Sequence, residues 1–291
     1  MPKLVWLNGT VMPLESAVTS VADHAHLYGD GLFEGIRIYN RRIFKLDEHL
    51  ERLYHGCRYL QYEMSISQPE MRKIILDTCK QADLTDGYIR LNVTRGTGLG
   101  LDPKNINREP NVMVMVNALA LYKAEDYEHG LDVITTSYRK ISPDSLDPRL
   151  KCIGGYATNI LAKAEANRAG AGEGLMLNRQ GEVAECTGDN VFIVTKGVIR
   201  TPHPSSGILQ GITRDTAIML ARQAGYEVVE ERLTPFDLYA AEEAFLTGTA
   251  AEIIGMVTLD TQKIGTGKPG PITLQLTDLF HAHTSTGVPF D

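Results

Sequence analysis

Several features that mark specialised classes of protein are scarce in this sequence. It has four cysteines in 291 residues, and none of them lies in a Cys-x-x-Cys spacing, so neither a disulfide framework nor a zinc site is expected. No apolar run approaches the ~20 residues of a membrane span, and the apolar stretch at the start is too short for a signal peptide. We therefore expect reduced thiols and a cytoplasmic protein.

Blocks of positive charge are also missing. Lysine and arginine number 29 against 36 aspartates and glutamates, which gives a formal net charge of −7. This balance argues against nucleic acid or an anionic membrane surface as the partner and favours small molecules. The share of hydrophobic residues, 43%, and of charged residues, 22%, is that of an ordinary globular protein.

The length suits two domains. A polar stretch at residues 122–130 is the best candidate for an interdomain linker. The sequence thus predicts a smaller N-terminal α/β domain over residues 1–121 and a larger C-terminal domain over residues 131–291. Strands and helices alternate in the C-terminal part.

Local signals place turns and helix starts. Asn8-Gly9 between two apolar stretches predicts a tight hairpin of type I′. Asp47 is expected to cap a helix that carries Arg52 off its apolar stripe, and Ser67-x-x-Glu70 predicts a capping box at the start of a second helix.

Residues 28–39 predict a strand with two different faces. Alternation puts Phe33 and Arg37 on one face and Ile36 and Ile38 on the other. An arginine beside aromatic residues is either a solvated edge residue or a charge held in a cleft, and the pattern leaves both interpretations open.

Two further strands follow. In residues 88–94, Tyr88 and Arg90 share a polar face and could converge on a carboxylate, which predicts a ligand wall. Residues 112–116 are a continuous apolar run and predict a strand that is buried on both faces.

Lys151 lies between a loop that contains Pro143 and Pro148 and an alanine-rich run that predicts a helix over residues 156–169. Most lysines are solvated surface charges, because burying an ammonium group is costly. A lysine at such a junction is nevertheless a candidate for a buried amine with covalent chemistry.

Two short segments could hold a ligand through their backbone. Residues 211–215, Gly-Ile-Thr-Arg-Asp, begin a helix whose free amides and threonine hydroxyl would suit a phosphate, although the pattern is also that of a common cap. Gly248-Thr249-Ala250 ends a strand, and small residues there allow a ligand to approach closely.

Other candidates have ordinary alternatives. Glu185 could be an exposed hairpin acid, and Tyr156 could be a core residue of a helix. His24 and His26 lack a third metal ligand in the sequence, so no metal is assigned.

Six motifs in order along the chain, from Leu4 to about Leu279, together resemble the class IV aminotransferases. Within that class they are most similar to the branched-chain amino acid aminotransferases. The motifs are Tyr28-x-Gly-x-Gly-x-Phe33-Glu34-Gly35-Ile36-Arg37, Tyr88-Ile89-Arg90, Lys151 with Tyr156, Glu185-Cys-Thr-Gly-x-Asn190-Val-Phe192, Gly211-Ile-Thr-Arg-Asp215 and Gly248-Thr-Ala-Ala-Glu252.

The resemblance implies a mixed α/β or α+β, two-domain architecture like that of D-amino-acid transaminase, known as PLP fold type IV. It implies pyridoxal 5′-phosphate as the cofactor, bound mainly by the C-terminal domain. It also implies a homodimer or a dimer-based oligomer that acts on amino acids and 2-oxo acids.

The resemblance assigns residues to the cofactor. Lys151 would bind it covalently and move the reacting proton. Glu185 would pair with the protonated ring nitrogen, which keeps the ring an electron sink. Tyr156 would hydrogen-bond the ring hydroxylate. The phosphate would be held by Arg52, Gly211, Ile212, Thr213 and Thr249.

For the substrate, the resemblance places the α-carboxylate at Tyr88, fixed by Arg37, and at the backbone of Thr249 and Ala250. Tyr28 and Phe33 would wall the side-chain pocket, and Arg90 would suit the distal carboxylate of glutamate. The implied reaction is reversible transfer of the amino group from L-leucine, L-isoleucine or L-valine to 2-oxoglutarate.

Rival interpretations exist inside and outside the family. A D-amino-acid or (R)-amine transaminase, or an aminodeoxychorismate lyase, would share Lys151 and Glu185. The presence of the motif Phe-Glu-Gly-Ile-Arg37 together with the motif Tyr88-Ile-Arg90 favours the branched-chain type. A non-catalytic binding protein would not need the lysine. The residues after Lys151 and the segment 122–130 depart from the family pattern, which leaves the substrate range open.

Overall fold

The computed structural model describes residues 4–106, 109–118 and 122–291. The chain divides into two compact units: unit 1 comprises Met1–Leu119, Leu150–Gly154 and Thr284–Asp291, and unit 2 comprises Ala120–Arg149 and Gly155–His283. The predicted domain boundary at residue 121 lies outside the described residues, and the division stays a prediction.

Helices and strands are interspersed along the chain. Up to residue 117 they are β1 (Leu4–Leu7), β2 (Thr10–Pro13), α1 (His24–Tyr28), β3 (Gly31–Tyr39), β4 (Arg42–Ile43), α2 (Leu46–Tyr59), α3 (Gln68–Ala82), β5 (Gly87–Thr94) and β6 (Val112–Asn117). From residue 124 they are α4 (Ala124–His129), β7 (Leu131–Arg139), α5 (Ala157–Arg168), β8 (Glu173–Leu177), β9 (Val183–Cys186), β10 (Asn190–Thr195), β11 (Val198–Pro202), α6 (Ile212–Gln223), β12 (Val228–Glu231), α7 (Pro235–Tyr239), β13 (Glu243–Gly248), β14 (Glu252–Leu259), β15 (Gln262–Lys263), α8 (Pro271–His283) and β16 (Val288–Pro289).

Unit 1 is built on a seven-stranded antiparallel sheet in the order β16-β4-β3-β5-β6-β1-β2. The β1–β2 hairpin turns at Asn8 and Gly9, whose φ angles are 45° and 98°. Positive φ at both positions is what a type I′ turn requires, as the sequence predicts.

The strand β6 differs from its prediction. Its valines are buried, but the alternating residues Met113 and Met115 are only half-buried, so burial on both faces was wrong. An apolar run does not distinguish the two cases, because a methionine can lie at a partly exposed surface.

Two helix starts gave different results. At α3 the capping box is present: the Ser67 hydroxyl accepts from the Glu70 amide, and the Ser67 amide donates to Glu70. At α2 the cap is Lys45 in the left-handed region, so Asp47 lies in the first turn and does not cap the helix. A carboxylate there still interacts favourably with the helix dipole.

Unit 2 is built on a nine-stranded mixed sheet in the order β12-β11-β10-β13-β14-β7-β8-β9, with β15 beside β14. The pairs β11–β12, β14–β7 and β7–β8 are parallel. The segment predicted as a linker holds α4, and Tyr122 and Tyr127 pack against the core of unit 2. The predicted mixed α/β fold class is confirmed. Within the three described ranges, no helix is both long and apolar enough to cross a membrane.

Candidate active site

In unit 1, the polar faces of β3 and β5 bring four of the predicted residues together. In the register of these strands, Phe33 lies opposite Asn92 and Arg37 lies opposite Tyr88, and directly opposed residues share a face of the sheet. The guanidinium carbon of Arg90 lies 3.6 Å from the centroid of the Phe33 ring, and Arg90 Nε donates to Asn92 Oδ1 at 2.9 Å. The result is a wall with aromatic surface and positive charge.

Gly35 leaves the space that Tyr88 occupies. A Cβ built at Gly35 would lie 1.9 Å from the Tyr88 hydroxyl oxygen, far inside van der Waals contact. Only glycine on β3 therefore allows the phenol of Tyr88 to lie across the strand.

Lys151 is fixed to β3 through its backbone. The Phe33 amide donates to the Lys151 carbonyl oxygen at 3.0 Å, and Leu32 forms an isolated bridge with Cys152. The Lys151 Nζ lies 4.8 Å from the centroid of the Phe33 ring. The proline-containing loop before Lys151 belongs to unit 2, whereas Leu150–Gly154 belongs to unit 1.

Arg52 is held in a charge cluster with two buried side chains, Glu34 and His49. Glu34 Oε1 accepts from Arg52 Nε at 2.7 Å, and Oε2 accepts from Arg52 Nη2 at 2.8 Å. The His49 Nδ1 lies 2.7 Å from the same Oε2, and both Glu34 and His49 are buried. The pair of bonds fixes the plane of the guanidinium group.

The charges in this cluster shift the pKa values of Glu34 and His49. Burial raises the pKa of Glu34, but Arg52 and His49 outweigh it and lower the pKa to about 2. Burial lowers the pKa of His49, although Glu34 opposes this. The sequence analysis assigned Arg52 to the site but missed Glu34 and His49. His49 could have been found from its helical spacing to Arg52, and Glu34 from its place inside the first motif.

In unit 2, Glu185 is a buried carboxylate held by three donors. Asn190 Nδ2 and the Leu209 amide donate to its Oε2 at 3.0 and 2.9 Å, and Lys140 Nζ lies 2.7 Å from its Oε1. With 6% of its surface exposed, Glu185 is not the exposed hairpin acid of the alternative interpretation. Lys140 was not predicted as part of the site.

The start of α6 has the features of a phosphate cradle. Gly211 is the N-cap, Thr213 is buried in the first turn, and the amides of that turn point out of the helix end. A Cβ built at Gly211 would lie 2.1 Å from Asn190 Oδ1. These observations fit a phosphorylated cofactor, because glycine allows the close packing and the helix end favours an anion.

The turn between β13 and β14 is also tightly packed. Gly248 pairs with Glu252, so Thr249, Ala250 and Ala251 form the turn; Thr249 and Ala250 are half-buried and Ala251 is buried. A Cβ built at Gly248 would lie 1.9 Å from Asp189 Oδ1. Burial and the neighbouring Glu173 raise the pKa of Asp189 to about 7.

The remaining candidates are less constrained. Tyr28 is 48% exposed at the end of α1, with its ring 4.7 Å from that of His24. Tyr156 is the half-buried N-cap of α5. The two ring nitrogens of His24 contact Asp30 Oδ2 at 2.7 Å and the Gly100 carbonyl oxygen at 2.9 Å, which gives this histidine a structural explanation.

Comparison with known proteins shows which family this chain resembles. The family model described as amino-transferase class IV matches residues 31–258. The chain is 44% identical over 277 residues to a putative branched-chain-amino-acid aminotransferase of Methanocaldococcus jannaschii, covering 95% of this chain and 94% of the relative.

Solved structures of branched-chain amino acid aminotransferases are also similar to this chain. The branched-chain amino acid aminotransferase of Escherichia coli has a TM-score of 0.93 and 33% identity, covering 97% of this chain and 94% of that one. The branched-chain amino acid aminotransferase from Thermobaculum terrenum, solved in its PLP-form, has a TM-score of 0.89 and 33% identity, covering 97% and 94%.

The chain therefore belongs to the class IV aminotransferase family. Within that family it is similar to branched-chain amino acid aminotransferases, and the resemblance drawn from its motifs is confirmed. The roles given to individual residues stay predictions.

Proposed function

We propose that this protein is a branched-chain amino acid aminotransferase that moves the amino group of L-leucine, L-isoleucine or L-valine to 2-oxoglutarate. The cofactor is pyridoxal 5′-phosphate, as the family and the PLP-form of the Thermobaculum terrenum structure indicate. The observation that carries the proposal is the buried carboxylate Glu185, held by donors in unit 2, together with the lysine Lys151 that is fixed to β3 in unit 1.

The proposed roles follow from the chemistry of each side chain. When bound, the cofactor supplies an electron sink for the electrons left at the substrate α-carbon. The Lys151 amine would take the proton from that carbon and deliver it to the cofactor carbon C4′, which needs a lysine that can be neutral. Glu185 pairs with the protonated ring nitrogen, and Tyr156 donates to the ring hydroxylate.

The phosphate is proposed to bind at three kinds of group. The α6 amides of Ile212 and Thr213, after Gly211, suit its oxygens, and Thr249 offers a hydroxyl. Arg52 offers a guanidinium group whose plane Glu34 fixes.

The substrate is proposed to lie against the β3–β5 wall. Tyr88, fixed by Arg37, and the backbone of Thr249 and Ala250 take the α-carboxylate. Tyr28 and Phe33 form the apolar pocket. Arg90 pairs with the second carboxylate of glutamate, which resolves the need to hold an aliphatic side chain and a charged one at the same place.

Further proposals concern the setting of the enzyme. We infer a cytoplasmic homodimer or dimer-based oligomer, with a smaller N-terminal domain up to residue 121 and a larger cofactor-binding domain from residue 131. The tight hold on Glu185 also supports an enzyme over a passive binding protein, because ring protonation matters for catalysis more than for binding.

Two assays test the function. Transfer from L-leucine to 2-oxoglutarate should be faster than transfer from D-alanine or (R)-1-phenylethylamine, and the reverse order would point to a D-amino-acid or (R)-amine transaminase. Borohydride reduction of the yellow protein should fix the cofactor on the peptide that contains Lys151. Recovery of the label on Lys140 or Lys163 would contradict the central assignment.

A further inference from the structure

A second lysine of the chain lies against the carboxylate that the cofactor ring requires. Lys140 follows β7, and its amide donates to the Leu177 carbonyl oxygen at 3.0 Å, which ties this residue to β8. β8 in turn pairs with β9, where Met176 lies opposite Glu185. The sheet of unit 2 thus brings Lys140 beside Glu185.

The contact is short and shielded from water. Lys140 Nζ lies 2.7 Å from Glu185 Oε1, and the side chains are 11% and 8% exposed. The other oxygen of Glu185 accepts from Asn190 and from the Leu209 amide. These three donors, one of them charged, fix the position of the carboxylate.

We propose that Lys140 is a positioning residue for catalysis: its ammonium group holds Glu185 ionised and oriented, so that the proton shared with the cofactor ring nitrogen stays on that nitrogen. This inference rests on the proposed function. It adds Lys140 to the proposed contact between Glu185 and the cofactor ring. It also explains why a lysine is buried here, although burial removes the water that would otherwise solvate its charge.

The surroundings of the pair are consistent with a charged Lys140. Burial lowers the pKa of Lys140, but Glu185 and Tyr156 outweigh it and raise the pKa above its ordinary value. Of the other titratable groups that act on Glu185, Cys186 has a pKa raised by burial and Asp189 has one raised to about 7. Asp189 is therefore the group that could add its own step to a pH profile near neutrality.

Three variants separate the role of Lys140 from general effects. Lys140→Met removes the charge and keeps most of the stem, whereas Lys140→Arg keeps the charge. Lys163→Met is the matched control, because it removes another lysine charge of unit 2. The Lys163 ammonium lies 4.0 Å from the buried Glu173, and its charge lowers the pKa of Asp189. This variant therefore reports any effect that reaches the cofactor through Asp189.

Each variant is loaded with pyridoxal 5′-phosphate, and the visible absorption band is titrated with pH. For Lys140→Met we expect the midpoint of the spectral change to move up by roughly one pH unit. The ring proton then shifts towards Glu185, and the loss of that charge from the ring makes the nitrogen that joins the cofactor to Lys151 easier to protonate. Lys140→Arg and Lys163→Met should keep the wild-type midpoint. An unchanged midpoint in folded, loaded Lys140→Met overturns the proposal.

A double variant tests whether Lys140 acts through Glu185. In the Glu185→Gln background, Lys140→Met should move the midpoint by less than it does in the wild type, because the carboxylate that it positions is gone. An equal shift in both backgrounds overturns the proposal. If Lys140→Met alone is too unstable, Lys140→Gln replaces it in both backgrounds, because glutamine also removes the charge but keeps a donor for the buried carboxylate. Wild-type protein that fails to bind pyridoxal 5′-phosphate would instead refute the proposed function.

Discussion

At the scale of single residues, the buried carboxylate of Glu34 has the clearest energetic consequence. Its pKa falls from 4.5 to about 2 in the folded protein, so the folded state binds this proton less tightly than the unfolded state. The stabilisation is complete above pH 4.5 and is lost as the pH falls from 4.5 towards 2. On the scale of 1.36 kcal/mol per pKa unit, this amounts to about 3 kcal/mol.

The first prediction concerns Glu34→Gln. The variant should lower the free energy of unfolding at pH 7 by about 3–5 kcal/mol, because Arg52 and His49 lose the charge that compensates their burial. The deficit relative to wild type should shrink as the pH falls from 4.5 towards about 2, because the wild type loses the stabilisation from Glu34 in that range. Denaturant titrations at several pH values measure both effects. Glu70→Gln, which changes an exposed capping carboxylate, is the control and should show a smaller deficit.

Arg90 determines how one pocket accepts two kinds of substrate. Arg90→Ala should slow the half-reaction with 2-oxoglutarate by about 1.5–3 kcal/mol in activation free energy, because a charge-assisted contact is lost. The L-leucine half-reaction should stay closer to normal. Single-turnover measurements of each half-reaction test this, with the exposed Arg58→Ala as the control. Equal losses in both half-reactions would show that Arg90 acts mainly by packing on Phe33.

At the scale of secondary-structure elements, the start of α6 and the strand β10 depend on one glycine. Gly211→Ala should weaken binding of pyridoxal 5′-phosphate at least about tenfold, or roughly 1.4 kcal/mol. The new Cβ would have to displace Asn190, whose amide donates to Glu185 and to the Leu209 carbonyl oxygen. Titration of the apoprotein with the cofactor gives the affinity.

Gly188→Ala is the matched control for that element. Gly188 lies in the same motif as Glu185 and Asn190, but a Cβ there would meet no atom within 4 Å among the described residues. We expect its cofactor affinity to match the wild type. Similar losses in both variants would mean that the loop, and not the contact at Gly211, controls binding.

At the scale of the whole molecule, exposed apolar side chains on unit 1 bear on the proposed dimer. Val21 is 79% exposed and Leu101 is 77% exposed. Their loops are joined by the bridge between Asp23 and Thr97 and by the bond from the Gly98 amide to the Ala22 carbonyl oxygen. Apolar side chains exposed together commonly mark an interface.

The last prediction is that sedimentation will give at least twice the chain mass of 32.1 kDa. Joint substitution of Val21→Asp and Leu101→Asp should shift the protein towards the mass of one chain, because burying two carboxylates at an interface is costly. Phe236→Asp, at a residue of unit 2 that is 79% exposed, should leave the assembly unchanged. A wild-type protein with the mass of one chain would rule out the dimer.

The sequence by itself determined the local elements and the family. The turn at Asn8-Gly9, the capping box at Ser67 and the alternation along β5 were predicted correctly, because each depends on residues a few positions apart. The order of six motifs was enough to identify the class, since their joint spacing is far more specific than any single one.

Only the tertiary structure decided how the charges are paired. Lys140 reaches Glu185, and Glu34 joins His49 and Arg52, through strand order and helix packing that no local pattern encodes. The partial exposure of Met113 and Met115 on β6 was likewise a matter of what lies over the sheet. Periodicity fixes which face a side chain occupies, whereas its partner is fixed by elements that are distant in the chain and meet only when the chain folds.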